Sequence, residues 1–309
     1  GLRTRIQNNG GDDYSFEITG GEQIISSDSD EEVLAQIDQF VFQNIIYEWA
    51  EDHAPHIVDS WPRSTVNVNI NDNCNAFWDG ELNFYTRGEG CNNTARISDV
   101  SYHEWGHGFH YHSLLSGEYD GAMSEGISDI VSFLQTRDYI MAPGFFTNGG
   151  GIREVSTDRV YPDDIVNEVH ADGLIFGGAI WDYLNIMKDE LGEEEAYSHV
   201  SDLLAGGIRS GPTLPESYYA LLFADDDNAN LSDGTPHQCQ LIEAFGRHGL
   251  GPGGMGLISL NHEPLRPQPY NLSAYPISVD IEQLAPNCIT GSPSDAMVWF
   301  SVDGGEWQS

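Results

Sequence analysis

Two pairs of metal-capable side chains, each four residues apart and set in consecutive stretches of helical periodicity, constrain this chain more than any other feature. His103 and His107 lie in Val100-Ser101-Tyr102-His103-Glu104-Trp105-Gly106-His107; Glu125 and Asp129 lie in Gly121-Ala122-Met123-Ser124-Glu125-Gly126-Ile127-Ser128-Asp129. Positions four apart on a helix differ by about 40° and roughly 6 Å along the axis, so each pair shares one face. Ala122, Met123, Ile127, Ile130 and Val131 place the acidic pair on a largely inward helix, and buried carboxylates require partners. The two helices should therefore pack so that His103, His107 and Glu125 converge on one ion. Asp129 should accept the outer N–H of a ligand histidine.

The first segment is an HExxH pattern, for which roughly 0.03 chance occurrences are expected in a chain of this composition. Two imidazoles on one face suit zinc, and Glu104 sits beside that face, able to take a proton from water at the metal. The competing reading is a helix whose histidines merely satisfy hydrogen bonds. A third histidine in metzincin spacing would need Gly at 110 and His at 113; the chain has His110 and Ser113, leaving Glu125 as third ligand. His110 and His112 read as packing or surface residues.

Around this centre the periodicity predicts an α+β fold. Val66, Val68 and Ile70 alternate with polar residues over 65–70, and a second strand should run near 81–85, while residues 1–28 read as irregular or weakly β. Ser29 and Glu32 form a capping box for a helix carrying Val33, Ile37, Phe40, Val41, Ile45 and Trp49, expected to pack on the sheet. Helices are predicted near 98–115, 122–136, 171–190, 193–206, 214–223 and 236–248. Residues 1–255 thus read as a catalytic domain, with a sheet lobe over about 1–97, a helical lobe over about 98–250 and a cleft between them. The linker 249–256 leads to a β-sandwich-like module over 257–309, read as incomplete, with strands at 277–281 and 297–302 and a turn at Asp303-Gly304 before Trp307.

A net charge of -37, from 12 Lys and Arg against 49 Asp and Glu, argues against nucleic acid and anionic membrane surfaces as partners. It suits either calcium binding or solubility in a salty environment. No apolar run reaches the ~20 residues that span a bilayer, so membrane insertion is not expected. The four cysteines, Cys74, Cys91, Cys239 and Cys288, lack C-x-x-C spacing and read as two disulfides of an exported protein, with free buried thiols as the alternative. Of three connectivities, sequential pairing keeps each bridge local. In an exported monomer, a signal peptide and a pro-segment would precede Gly1.

HEWGH followed by SEGISD resembles the zinc site of the thermolysin and fungalysin families, which share a two-lobed fold and an HExxH plus Glu metal set. Asn75-Ala76-Phe77-Trp78-Asp79-Gly80 with Tyr85 is similar to the edge strand that pairs with extended peptide in thermolysin-like enzymes. Glu168-Val169-His170-Ala171-Asp172-Gly173, before a helix with Trp181, looks more like fungalysin. The resemblance covers about 60–190 well. It implies Glu104 as general base, His170 as hydrogen-bond donor to the oxyanion, Asn75 and Ala76 as substrate-binding residues, and Arg153 as a support that contacts the substrate carbonyl. The interval between the second histidine and the ligand glutamate is two residues shorter than in thermolysin-like enzymes. Neither Tyr111 nor Tyr119 aligns with their oxyanion tyrosine, and neither is assigned.

Asp226, Asn228 and Asn230 occupy alternate positions, like the first half of an EF-hand-type loop, without its glycine at position 6 or glutamate at 12. Calcium and a solvated acidic loop are both open there. The leading function is a secreted zinc endopeptidase of broad specificity acting on polypeptides. A gluzincin exopeptidase and a non-catalytic, zinc-containing adhesion or carbohydrate-binding protein are the alternatives, although a structural zinc has no use for Glu104.

Overall fold

Val66 and Val68, alternating with polar neighbours, bury one face of the central strand of a small sheet. The computed structural model describes residues 3–15, 30–252, 258–262, 278–283 and 288. In it β2 (Ser64–Ile70) is parallel to β1 (Thr4–Asn8) on one side and to β4 (Leu82–Tyr85) on the other. β3 (Ala76–Trp78) runs antiparallel to β4, with Ala76 opposite Phe84 and Trp78 opposite Leu82. The order β1-β2-β4-β3 leaves β3 at the sheet edge, where one row of backbone groups lacks a sheet partner. At three residues, β3 is too short for an alternating pattern to reveal.

The long helix α1 (Glu31–His53) packs on β1 and β2, but not through the expected face. Phe40, Val41 and Ile45 are exposed, whereas Gln39, Gln43, Ile46, Tyr47 and Ala50 are buried. Gln39 Nε2 donates to the Ala95 carbonyl at 2.8 Å, Gln43 Nε2 to Ser101 Oγ at 3.0 Å, and Ser101 Oγ to Gln39 Oε1 at 2.9 Å. Apolar periodicity misreads this helix because satisfied amides can occupy a core face. The cap is Asp30, whose carboxylate accepts from Glu32 N; the predicted cap, Ser29, lies outside the described residues.

The remaining helices follow the predicted order: α2 (Pro55–Ser60), which the pattern did not announce, then α3 (Ser98–Ser113), α4 (Gly121–Thr136), α5 (Val169–Leu191), α6 (Glu193–Gly207), α7 (Ser217–Asp225) and α8 (Gln238–Arg247). A two-residue ladder pairs β5 (Ile140–Met141) with β6 (Arg153–Glu154). Behind α3 an aromatic slab fixes the helix: Trp105 stacks on Trp61 at 5.7 Å and on Phe109 at 5.5 Å, with Tyr47 edge-on at 5.8 Å. On its other side α3 approaches α4 so closely that a Cβ on Gly106 would fall 2.6 Å from Ser128 Cα.

The chain divides into two compact units, Gly1–Gly254 and Met255–Ser309. In the second, β7 (Ile258–Asn261) pairs antiparallel with β8 (Asp280–Gln283), a few residues later than the strand expected at 277–281. The strand predicted at 297–302, its turn and Trp307 lie outside the described residues. Cys74 and Cys91 are disulfide-bonded to each other. Cys239 and Cys288 are also disulfide-bonded, and no described cysteine is free.

Gly106→Ala should push α3 from α4 and lower stability by about 1–3 kcal/mol, read as a lower denaturant midpoint, with weaker metal retention. His110 gives a second expectation. It is fully buried on α3 against Tyr119, and neither ring nitrogen has a hydrogen-bond partner among the described residues. Burial, opposed by Asp120, lowers its pKa from 6.5 to about 4. The unfolded chain therefore binds a proton that the folded chain refuses. Stability from this group is full above pH 6.5 and is lost as pH falls toward 4, by up to about 3 kcal/mol. Unfolding measured between pH 7 and 4 should lose that slope in His110→Phe.

Candidate metal centre

α3 turns Trp105 and Phe109 into the aromatic slab, which leaves His103 and His107 on the face toward α4. There the two imidazoles meet at 4.9 Å between ring centroids. Glu125 comes from the first half of α4: its Oε2 is 3.2 Å from His103 Nε2 and its Oε1 is 3.7 Å from His107 Nε2. The donor atoms of His103, His107 and Glu125 all lie within 4.8 Å of one another. Each Nδ1 is engaged on the far side of its ring, His103 with Asp129 Oδ1 at 2.9 Å and His107 with Ser124 Oγ at 2.8 Å. Donation of Nδ1–H in both bonds leaves both Nε2 lone pairs facing Glu125. Glu125 Oε2 is buried without a hydrogen bond, its 3.2 Å approach to His103 being an ion-pair contact without hydrogen-bond geometry. Two free imidazole nitrogens and an unsatisfied carboxylate oxygen fit a zinc-class cation.

Arg153, brought in by β6, anchors Asp129 in a fork: Nη2 donates to Oδ1 at 2.6 Å and Nε to Oδ2 at 2.8 Å. Burial alone would raise the Asp129 pKa, but Arg153 and His103 hold it down at about 2. For Glu125, burial is likewise overcome by the contact and charge of His103, with help from His107 and His170, and its pKa is about 2. Burial disfavours the charged form of His103, but the Asp129 and Glu125 carboxylates outweigh it and raise its pKa, the same negative charge that would hold a cation in place of the Nε2 proton; burial and the neighbouring His103 lower the pKa of His107 to about 3. Glu104 has no such anion-stabilising contact. Burial pushes it up to about 7 against the charges of His103 and Arg153, a value suited to exchanging protons near neutrality.

An open cavity of about 880 Å³ lies over the centre. Its walls include His103, Glu104, His107 and Glu125, together with Asn75, Ala76, Phe77 and Trp78 from the edge-strand segment. His170, in the first turn of α5, also lines it, half-exposed. Its Nε2 is 3.4 Å from Glu125 Oε1, and its Nδ1 is 2.7 Å from Glu168 Oε1. Arg153 lines the same cavity while committed to Asp129.

Two site residues escaped the sequence reading. Tyr119 lines the cavity and shares a 2.6 Å hydrogen bond with Ser124 Oγ, which is also the outer partner of His107. Ser124 could have been found from its place beside Glu125 on an inward helix; Tyr119, in the irregular link between α3 and α4, offered no periodic signal. The acidic loop stays local: Asn228 N donates to Asp226 Oδ1, Asn228 Nδ2 to Asp233, and Asn230 Oδ1 accepts from Ser232.

The thermolysin metallopeptidase catalytic-domain family matches residues 53–110, from α2 through HExxH. Among solved structures, the precursor of protealysin, a metalloproteinase from Serratia proteamaculans, matches with a TM-score of 0.60 at 15% identity, covering 80% of this chain and 87% of that chain. No curated protein sequence matches this chain. Family match, fold and donor set together define a metallopeptidase, a hydrolase of peptide bonds. Its mixed α+β architecture is thermolysin-like, as the likeness to the protealysin precursor shows, and the family match spans the HExxH segment.

Asp129→Asn should weaken zinc binding about 10–100-fold, because the outer partner that orients His103 loses its charge. Competition against a chelator measures this, and an unchanged affinity would detach Asp129 from the centre.

Proposed function

We propose that the chain is a secreted zinc endopeptidase that hydrolyses extended polypeptides, with His103, His107 and Glu125 as the metal ligands. The observation that carries this reading is the placement of Glu104 on the same cavity wall as the donor trio, with an open sheet edge at that cavity. Bound there, zinc supplies Lewis acidity at the scissile carbonyl and makes water easier to deprotonate. Glu104 takes the proton from water and passes it to the departing amine; a pKa of about 7 serves both transfers. His170 donates from Nε2 to the oxyanion, and the engagement of its Nδ1 with Glu168 supports that orientation. Asn75 and Ala76 present edge-strand backbone to an extended substrate, as in strand addition. Arg153 acts chiefly through Asp129, by holding the partner of His103.

Secretion is supported by the Cys74–Cys91 disulfide, which persists in oxidising compartments. No described helix is long and apolar enough to cross a membrane. Calcium at Asp226, Asn228 and Asn230 belongs to this reading on the strength of their alternate spacing. So does a pro-segment before Gly1, since the protealysin structure is that of a precursor. Glu168 caps α5 through His170 N and Ala171 N, which fixes the first turn that carries His170.

Glu104→Gln should lower kcat/KM by about 10²–10⁴-fold on an internally quenched peptide blocked at both ends, with zinc content equal to that of the unaltered chain. Undiminished cleavage refutes the mechanism. Cleavage only of peptides with a free end would instead support an exopeptidase.

A further inference from the structure

Outside the cavity wall, three more metal-capable side chains come together: His199 on α6, Asp225 at the end of α7 and His237 just before α8. One donor atom from each lies within 4.8 Å of the others, the same limit met by His103, His107 and Glu125. We propose that His199, Asp225 and His237 form a second metal site, for a zinc-class ion, that ties α6 to both ends of the loop joining α7 to α8.

The outer contacts of the cluster orient its ligands. Asp225 Oδ2 accepts from Thr235 Oγ1 at 2.5 Å and from His237 N at 2.7 Å. That fixes the carboxylate and leaves Oδ1 directed at His237 Nδ1, 2.7 Å away. The Asp225 side chain is only 2% exposed, and among the described residues no lysine or arginine forms an ion pair with it. Thr235 Oγ1, His237 N and His237 Nδ1 surround this buried carboxylate, and a divalent cation in place of the shared His237 proton would balance its charge. Tyr183, whose hydroxyl is kept protonated by burial, holds His199 Nε2 at 2.8 Å, leaving Nδ1 for an ion. Ring centroids of His199 and His237 lie 4.3 Å apart, too close for both to be charged without mutual repulsion.

Two imidazoles and one carboxylate select zinc-class ions, whereas calcium takes oxygen ligands. Three protein donors leave a fourth position for water. The site therefore differs in chemistry from the oxygen-rich spacing of Asp226, Asn228 and Asn230, although it closes the ends of the same loop.

The test is zinc titration of the chelator-stripped full chain in saturating calcium, with folding followed by circular dichroism. The unaltered chain should bind two equivalents and a His199→Gln/His237→Gln double variant one. Tyr183→Phe keeps every ligand, removes the outer partner of His199 and should bind the second equivalent about 10–100-fold more weakly; it decides the matter if the double variant does not fold. Saturation of the unaltered chain at one equivalent, two equivalents in the double variant, or an unchanged second affinity in Tyr183→Phe overturns the proposal. Peptidase activity restored by the first equivalent alone would leave the function of the cavity site intact.

Discussion

Charge balance beneath the cavity is the constraint on which the rest of this structure depends. Glu104, Glu125 and Asp129 are buried together, and Arg153 is the guanidinium committed to them. The two fixed anions, Glu125 and Asp129, outnumber that one guanidinium, and a cation at His103, His107 and Glu125 would balance the remaining negative charge. Without such compensation, burial resists each carboxylate's charged form. Asp129 and Glu125 remain anionic through specific contacts, whereas Glu104 rises to about 7. The same buried cluster thus contains fixed anions that can organise a metal and one carboxylate free to exchange a proton.

That electrostatic arrangement requires two helices at a distance only small residues permit. Gly106 lets α3 meet the Ser128 backbone, and Gly173 brings α5 within contact of the Ala122 carbonyl and Gly126. The aromatic slab of Trp61, Trp105 and Phe109 holds α3 from behind, so the histidines are pressed toward α4 by rigid packing rather than by the metal alone. The sheet contributes less core than position: its edge strand β3 lines the cavity, leaving an unpaired row of backbone groups at that wall.

The acidic surface draws on few cations, and several of those are committed locally. Lys188, the single lysine, lies over the rings of Trp181 and Tyr197, and Arg137 forks onto Glu194. Metal ions are the natural complement for a chain so short of its own positive charge.

From the sequence alone came the helices that bear the chemistry and the residues facing inward on them, because four-residue spacing has only one geometric meaning on a helix. It also exposed the alternating strands, since burial on one face leaves a two-residue period. It misjudged the buried face of α1, where hydrogen-bonded glutamines replace apolar side chains; β3 was reached only through resemblance, and Ser124 and Tyr119, which carry no periodic mark, were not assigned. Tertiary structure alone decided which histidine Asp129 would meet, that Arg153 would fork onto Asp129, that Tyr119 would face the cavity, and that His199, Asp225 and His237 would cluster. Those meetings join residues from separate elements, and their distances are set by how helices pack, a quantity that local pattern does not encode.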